Sequence, residues 1–142
     1  MIIYCFIKRL STKLLPQYPP LVNLEIIEIY EFYDFPCLFS CQNASGQIFL
    51  AVWIDEIPDH KTWLYSPMSK GRLKNIRSGN LDLYDAFKKS EDGFIYQAII
   101  SENDNLDVVE IIFCEHLNDE CLPVAGETID FSIVPSTIAV KN

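Results

Sequence analysis

The densest apolar stretch of the chain runs from Ile48 to Ile54, where every residue is apolar. A strand with two apolar faces is typical of a central strand that is covered on both sides of its sheet. We therefore predict a strand over residues 47–55, which ends in the acidic step Asp55-Glu56. The preceding residues 43–46, Asn-Ala-Ser-Gly, are a strong turn signal.

Other stretches rich in β-branched and aromatic residues predict further strands. These stretches are residues 24–33, 37–42, 62–68, 94–101 and 108–114, with one more at 128–134. In the first of them, Glu25, Glu28 and Glu31 lie three residues apart, which would also suit one face of a helix. The surrounding Ile, Tyr and Phe residues favour a strand.

Polar capping residues predict two short helices after the fourth predicted strand, residues 62–68. Ser69 is placed to cap a helix that ends near Arg77, and Gly79 stands where a left-handed residue ends a helix. Asn80 or Asp82 caps the second helix. The predicted fold is a single α+β domain, a mostly antiparallel sheet with two short helices inserted between strands.

Residues 1–22 are predicted to be an N-terminal appendage or linker, ahead of a single α+β domain over residues 23–142. Pro16, Pro19 and Pro20 break any helix that enters this segment. Two alternatives stand for the apolar opening. It adds an edge strand to the sheet, or it precedes the true start of the domain.

Composition and charge narrow the class of protein. The 142 residues suit one domain, and an apolar content of 49% is typical of a globular protein. The formal net charge of −9 argues against a protein whose whole surface grips nucleic acid, because phosphate contacts need Lys and Arg. The net charge does not argue against a local basic patch that binds nucleic acid.

The cysteines and the start of the chain predict a cytoplasmic protein. Five cysteines are an odd number without the dense pattern of a secreted disulfide scaffold, so free thiols in a reducing cytosol are the simpler interpretation. The apolar start is followed by Lys8-Arg9, the reverse of the order in a secretory signal. No stretch reaches the roughly 18 apolar residues of a membrane span, and we expect no membrane association.

Asp55, Glu56, Asp59 and His60 form the first candidate site, at the point where a buried strand meets a loop. Carboxylates beside a histidine suit acid–base catalysis or a hard metal ion. The alternative is a solvated turn that ends the strand. With no second acidic cluster elsewhere, the pattern is a weak indication of an enzyme.

Cys114, His116 and Cys121 are weak candidates for zinc ligands, to which Cys37 and Cys41 could contribute. No Cys-x-x-Cys pair is present, and cysteine in apolar sequence behaves as a small hydrophobe. The chain also lacks a P-loop and a Gly-x-Gly-x-x-Gly motif. We therefore predict no metal and no cofactor.

A binding surface is the third candidate, formed by basic residues of the first predicted helix and two nearby aromatic residues: Lys70, Arg72, Lys74, Arg77, Trp63 and Tyr65. Four positive charges within eight residues could contact phosphate or an acidic partner. The alternatives are a solvated helix face and aromatic rings that belong to the core. Specific nucleic-acid modules usually carry a larger basic footprint, so nucleic acid is the weaker prediction.

Five stretches carry a family resemblance: residues 24–41, Asn43-Ala-Ser-Gly, Trp53-Ile-Asp-Glu, Thr62-Trp-Leu-Tyr and Leu83-Tyr-Asp-Ala-Phe. Together they resemble a family of small bacterial proteins, many of them cyanobacterial, whose function is uncharacterised. The resemblance covers about residues 24–100. It implies a bacterial cytoplasmic protein whose domain starts near residue 24, and it implies no activity.

The leading functional hypothesis is a non-catalytic protein-interaction or regulatory module that docks on a protein partner or on itself. It rests on the lack of an assembled catalytic set, the aromatic content, the acidity and the local basic helix. The first alternative is a metal-dependent or acid–base enzyme that uses residues 55–60. The second is nucleic-acid binding through residues 70–77.

Overall fold

The computed structural model describes residues 15–57, 60–101 and 108–131. Six strands in these residues form one antiparallel sheet. They are β1 (Glu25–Phe32), β2 (Pro36–Gln42), β3 (Ile48–Ile57), β4 (His60–Met68), β5 (Phe94–Ser101) and β6 (Val108–Phe113). Their order in the sheet is their order along the chain. The predicted mostly antiparallel sheet with two short helices is confirmed, and the class is α+β.

Two helices, α1 (Lys70–Arg77) and α2 (Leu83–Lys88), follow β4 along the chain and precede β5. Two short 3-10 turns, Cys114–His116 and Asp119–Cys121, follow β6. Neither α1 nor α2, the helices of the described residues, has the length and apolar content needed to cross a lipid bilayer.

Short polar turns produce the antiparallel pairing of the first three strands. Between β2 and β3, the Asn43 side-chain oxygen accepts hydrogen bonds from the backbone N–H groups of Ser45 and Gln47, at 3.1 and 2.9 Å. Gly46 in this turn has a φ of +90°, which favours glycine. Between β1 and β2, Asp34 has a φ of +63°. Asp and Asn adopt this left-handed geometry more readily than other side chains.

The sheet is apolar on both faces, because successive residues of a strand point to opposite sides. In β3, Leu50 packs into the core on one face, while Phe49 and Ala51 pack into the core on the other. All three residues are fully buried. The first core includes the inward residues of α1 and α2, and we call it the helix-side core. The second is the opposite core.

Residues 15–22 pack against the opposite core. Leu15 and Leu21 are both buried there, and Tyr18 and Leu21 exchange two backbone hydrogen bonds. The side-chain amide of Asn43 donates to the Pro20 carbonyl at 3.1 Å, which ties the segment to the turn between β2 and β3. The apolar opening of the chain, residues 1–14, lies outside the described residues.

The segment after β6 returns to the helix-side core, where Leu117, Leu122 and Ile129 are buried. The N–H of Leu83 donates to the Glu127 carbonyl at 2.8 Å, so this segment also contacts the start of α2. Of the strand predicted over residues 128–134, the described residues 128–131 do not form a strand, and the rest lies outside the described part.

Candidate functional site

The edge strand β6 carries the largest group of exposed apolar side chains on any strand of the described residues. Val108, Ile111 and Phe113 are 45%, 56% and 56% exposed. The pairing of β5 with β6 continues through all six residues of β6 without a register shift. Exposed apolar side chains on a regular edge strand are unusual in a soluble monomer, because such an edge can pair with another chain.

Two aromatic residues of β5 extend this apolar surface. Phe94 lies directly opposite Phe113, and Tyr96 lies directly opposite Ile111, so the four side chains share one face of the sheet. The rings of Phe94 and Tyr96 meet edge to face with their centroids 5.5 Å apart. We call Phe94, Tyr96, Ile111 and Phe113 the β6 patch.

The backbone groups of β6 that point away from β5 belong to the same alternate residues whose side chains lie on the face of the patch. The N–H of Cys114 donates to the Gly93 carbonyl at 3.0 Å, one position beyond the pair of Phe94 and Phe113. Inward and outward groups alternate along an antiparallel strand. The N–H and C=O groups of Phe113, Ile111 and Val109 therefore point away from β5, where an added strand would bind them.

The opposite edge of the sheet, β1, is built differently. Three of its eight residues are glutamates, and its pairing with β2 contains three register shifts. Charges and bulges are the usual means by which proteins block pairing at an edge strand. Glu28 of β1 also accepts a hydrogen bond from the Arg77 side chain at 2.8 Å. β1 is thus protected against pairing, whereas β6 is not.

Acidic residues lie along the β6 edge and in the turn before β5. Burial raises the pKa of Tyr96, and the negative charge of Asp92 raises it further. Glu110 of β6 and Glu115 just beyond it are exposed. The β6 edge therefore has the apolar patch on one face of the sheet and the Glu110 carboxylate on the other.

The basic helix α1 has the predicted caps. The Ser69 hydroxyl oxygen accepts a hydrogen bond from the Arg72 N–H at 3.2 Å. At the other end, Gly79 has a φ of +83°, and the N–H groups of Gly79 and Asn80 donate to carbonyls of the last turn. The N-terminus of α1 is already paired with a carboxylate, because the Ser69 N–H donates to Glu91 at 2.7 Å.

Two of the four predicted basic binding residues bind other parts of the chain. Arg72 donates from Nη2 to the carbonyls of Asp85 and Lys89 and so joins α1 to α2. Arg77 bonds Glu28 through Nε and Nη2, at 2.8 and 3.2 Å. The Arg77 guanidinium also lies 5.4 Å from the ring centre of Phe131. The Glu28 bond raises the pKa of Arg77, with Glu28's negative charge adding to it.

Lys70 and Lys74 are exposed, whereas the two aromatic residues predicted beside them are not on the surface. Trp63 and Tyr65 are 1% and 0% exposed and belong to the opposite core. Trp63 donates its indole N–H to the Pro36 carbonyl at 3.1 Å. The structure therefore does not bring these two rings together with the lysines as one exposed surface.

The acidic candidate at residues 55–60 lies at the end of the β3–β4 hairpin. The backbone of Asp55 pairs with Thr62, and that of Glu56 with Lys61. Asp59 lies outside the described residues, and His60 begins β4, where it pairs with Ile57 and Ser101. The side chains of Asp55 and Glu56 also lie outside the described part of the structure.

The cysteine candidates are separated by their surroundings. Cys114 is buried and donates its thiol to the Phe87 carbonyl at 3.4 Å, while His116 and Cys121 are exposed. Burial raises the pKa of Cys37 to about 11 and also raises that of Cys41. Across the described residues, no three His, Cys, Asp or Glu side chains form a group that could hold a metal ion.

Sequence reasoning identified β6 only as a strand and assigned it no role. Its residues 108–113 contain a single charge, Glu110, and neither Lys nor Pro. Strands at a sheet edge usually carry such residues. This signal was present in the sequence, but its meaning depends on knowing that the strand lies at the edge.

The chain belongs to a family of unknown function, DUF6575, whose members it matches over residues 12–141. No curated protein and no solved structure matches the chain.

Proposed function

We propose that this family member is a non-catalytic protein-interaction module that binds its partner through the outer edge of β6. The observation that carries the proposal is the contrast between the two edges of the sheet. β1 has three glutamates and three register shifts, whereas β6 is regular and exposes Ile111 and Phe113. Addition of a strand to such an edge is a recurrent mode of protein recognition.

Binding to the β6 edge would cover the exposed apolar side chains and satisfy the outward N–H and C=O groups at once. Main-chain hydrogen bonds give such a complex affinity, and the side chains of alternate residues give it specificity. The β6 patch is continuous with the opposite core, against which Tyr96 and Val109 also pack. All four residues of the patch belong to paired strands and none to a loop.

The other two functional hypotheses have less support. Nucleic-acid binding through α1 loses Arg72 and Arg77 to internal contacts, which leaves two exposed lysines. An enzyme site at residues 55–60 gains no support, because Asp59 and the side chains of Asp55 and Glu56 lie outside the described residues. A bacterial, cytoplasmic setting remains part of our proposal, supported by the family resemblance and by the free thiols of Cys37, Cys41, Cys114 and Cys121.

The first test compares the same substitution at the two edges. Ile111→Lys places a charge on the β6 patch, and Ile27→Lys places it on β1, where Ile27 is 39% exposed. We expect affinity capture from a native bacterial lysate to retain a protein on the wild type and on Ile27→Lys, and to lose it on Ile111→Lys. Circular dichroism checks that both variants keep their secondary structure.

Capture of the same proteins in the same amounts by Ile111→Lys would overturn the proposal, since the edge would then not be the binding surface.

A further inference from the structure

We infer that the partner of β6 is an extended, positively charged segment of a different protein, which pairs with β6 as a seventh strand. This inference rests on the proposed function and adds the chemistry of the partner. Three observations support it: the row of outward backbone groups on β6, the apolar patch on one face of the strand, and the carboxylate of Glu110 on the other.

The apolar patch defines one face of the added strand. Neighbouring strands lie about 4.8 Å apart, and directly opposite residues share a face of the sheet. A strand that pairs with Val109, Ile111 and Phe113 would therefore place every second side chain beside the β6 patch. These side chains would be apolar, because Ile111 and Phe113 are each 56% exposed and need apolar cover.

The charges define the other face. Glu110 lies between Val109 and Ile111 in β6, and its side chain is on the face opposite to the patch. Asp92 lies in the turn before β5, two residues from Phe94 of the patch. Among the described residues, no Lys, Arg or His side chain forms an ion pair with Glu110 or Asp92. In an added strand whose apolar side chains alternate with basic ones, the basic side chains lie on the face of Glu110. One of them would lie directly opposite Glu110.

A second copy of this chain fits the edge less well. Two antiparallel β6 strands centred on Glu110 would place two carboxylates directly opposite each other, which is destabilising. A pairing centred on Ile111 avoids that contact. It still brings together two chains with a formal net charge of −9 each and the same acidic residues at the same edge. A cationic partner has the opposite charge.

The experiment uses defined peptides as probes with the full-length chain. An end-capped octapeptide of alternating Val and Lys supplies one apolar and one basic face. The control peptides replace Lys by Glu, or replace one central Val by Pro, which cannot donate to a strand. Fluorescence anisotropy measures binding, and sedimentation equilibrium measures the oligomeric state without peptide.

We expect the Val–Lys peptide to bind the wild type and Ile27→Lys, and to bind Ile111→Lys at least roughly tenfold more weakly. Binding should weaken as salt increases. The Pro-containing peptide and the Val–Glu peptide should bind weakly or not at all. Glu110→Lys should shift the preference from the Val–Lys to the Val–Glu peptide, since it reverses the charge on one face while leaving the patch intact.

Several outcomes would overturn this inference. They are equal affinity for the Val–Lys and Val–Glu peptides, no binding of either, and equal binding by Ile111→Lys and Ile27→Lys. A wild-type dimer that Ile111→Lys dissociates would identify a second copy as the occupant. Binding that appears only after removal of residues 132–142 would identify this chain's own segment.

Failure of this inference is distinguishable from failure of the proposed function. If lysate capture depends on Ile111 but the Val–Lys peptide does not bind, β6 is the binding surface and the partner has another chemistry. If capture is unaffected by Ile111→Lys, the proposed function itself fails.

Discussion

At the scale of single residues, two basic side chains that could have bound a partner instead hold parts of this chain together. Arg72 and Arg77 differ from Lys70 and Lys74 because a planar guanidinium can reach several acceptors at once. Arg72 joins α1 to α2, and Arg77 joins α1 to Glu28 of β1. The exposed lysines form no ion pair with any described residue. In the basic helix α1, the two arginines therefore stabilise the fold, and the two lysines lie on its solvated face.

Tyr30 is the buried polar group whose role can be tested most directly. Its hydroxyl and that of Ser40 form a hydrogen bond of 3.0 Å inside the helix-side core, and burial raises the pKa of Tyr30 to about 12. We expect Tyr30→Phe to lower the free energy of unfolding by about 1–2 kcal/mol, because the Ser40 hydroxyl loses its partner. Urea denaturation followed by circular dichroism measures the change.

Tyr33→Phe is the matched control, since Tyr33 is 77% exposed in the neighbouring turn. It should change stability by less than about 0.5 kcal/mol. Equal effects of the two substitutions would contradict a special role for the buried hydroxyl pair.

At the scale of elements, side-chain caps fix where the two helices begin. Asp82 caps the start of α2: its Oδ1 accepts from the Asp85 N–H at 2.8 Å, and its Oδ2 accepts from the Gly126 N–H at 2.6 Å. One carboxylate therefore caps a helix and holds the segment after β6. Of the two predicted caps for this helix, Asn80 and Asp82, it is Asp82 that forms the bond.

Gly71 inside α1 and Gly79 just beyond its end predict stability changes of opposite sign. Gly79 has a φ of +83°, so Gly79→Ala should destabilise the protein by about 1 kcal/mol. Gly71 lies inside α1 with nothing within 4 Å of an added methyl group, so Gly71→Ala should stabilise it by about 0.5 kcal/mol.

Thermal denaturation of both variants beside the wild type measures these shifts. The space around Gly79 is equally open. If Gly79→Ala left the stability unchanged, the left-handed backbone conformation at residue 79 would not require glycine.

At the scale of the whole molecule, segments before β1 and after β6 complete the two cores of the sheet. Leu21 is fully buried in the opposite core, and Leu117, Leu122 and Ile129 are buried in the helix-side core. Lys88 of α2 donates to the Leu117 carbonyl at 2.9 Å and strengthens the second of these attachments. Residues far beyond the last strand thus belong to the fold.

This architecture predicts that Ile129→Ala is strongly destabilising. Ile129 is 9% exposed in the helix-side core, and truncation of such a side chain should cost about 2–4 kcal/mol of unfolding free energy. Val124→Ala lies in the same segment, where Val124 is 70% exposed, and should cost less than about 0.5 kcal/mol. Chemical denaturation compares the two, and similar midpoints would show that the segment does not stabilise the core.

The sequence by itself determined the elements of this protein. The apolar run from Ile48 to Ile54, the cap at Ser69 and the glycine at residue 79 act over a few residues. A central strand and a helix with its caps could therefore be recognised without a structure. The candidate surfaces depended on distant contacts. Glu28 and Arg77 are 49 residues apart, and their ion pair follows only from the packing of α1 beside β1.

Tertiary structure alone decided which strand lies at an edge and which aromatic residues face solvent. Trp63 and Tyr65 resemble a binding surface in sequence, yet β3 and β5 flank them and both faces of the sheet are covered, so they are buried. Ile111 and Phe113 resemble core residues, yet no described strand lies beyond β6. Local pattern specifies whether a residue is in a strand, and the neighbours of that strand specify whether the residue can bind a partner.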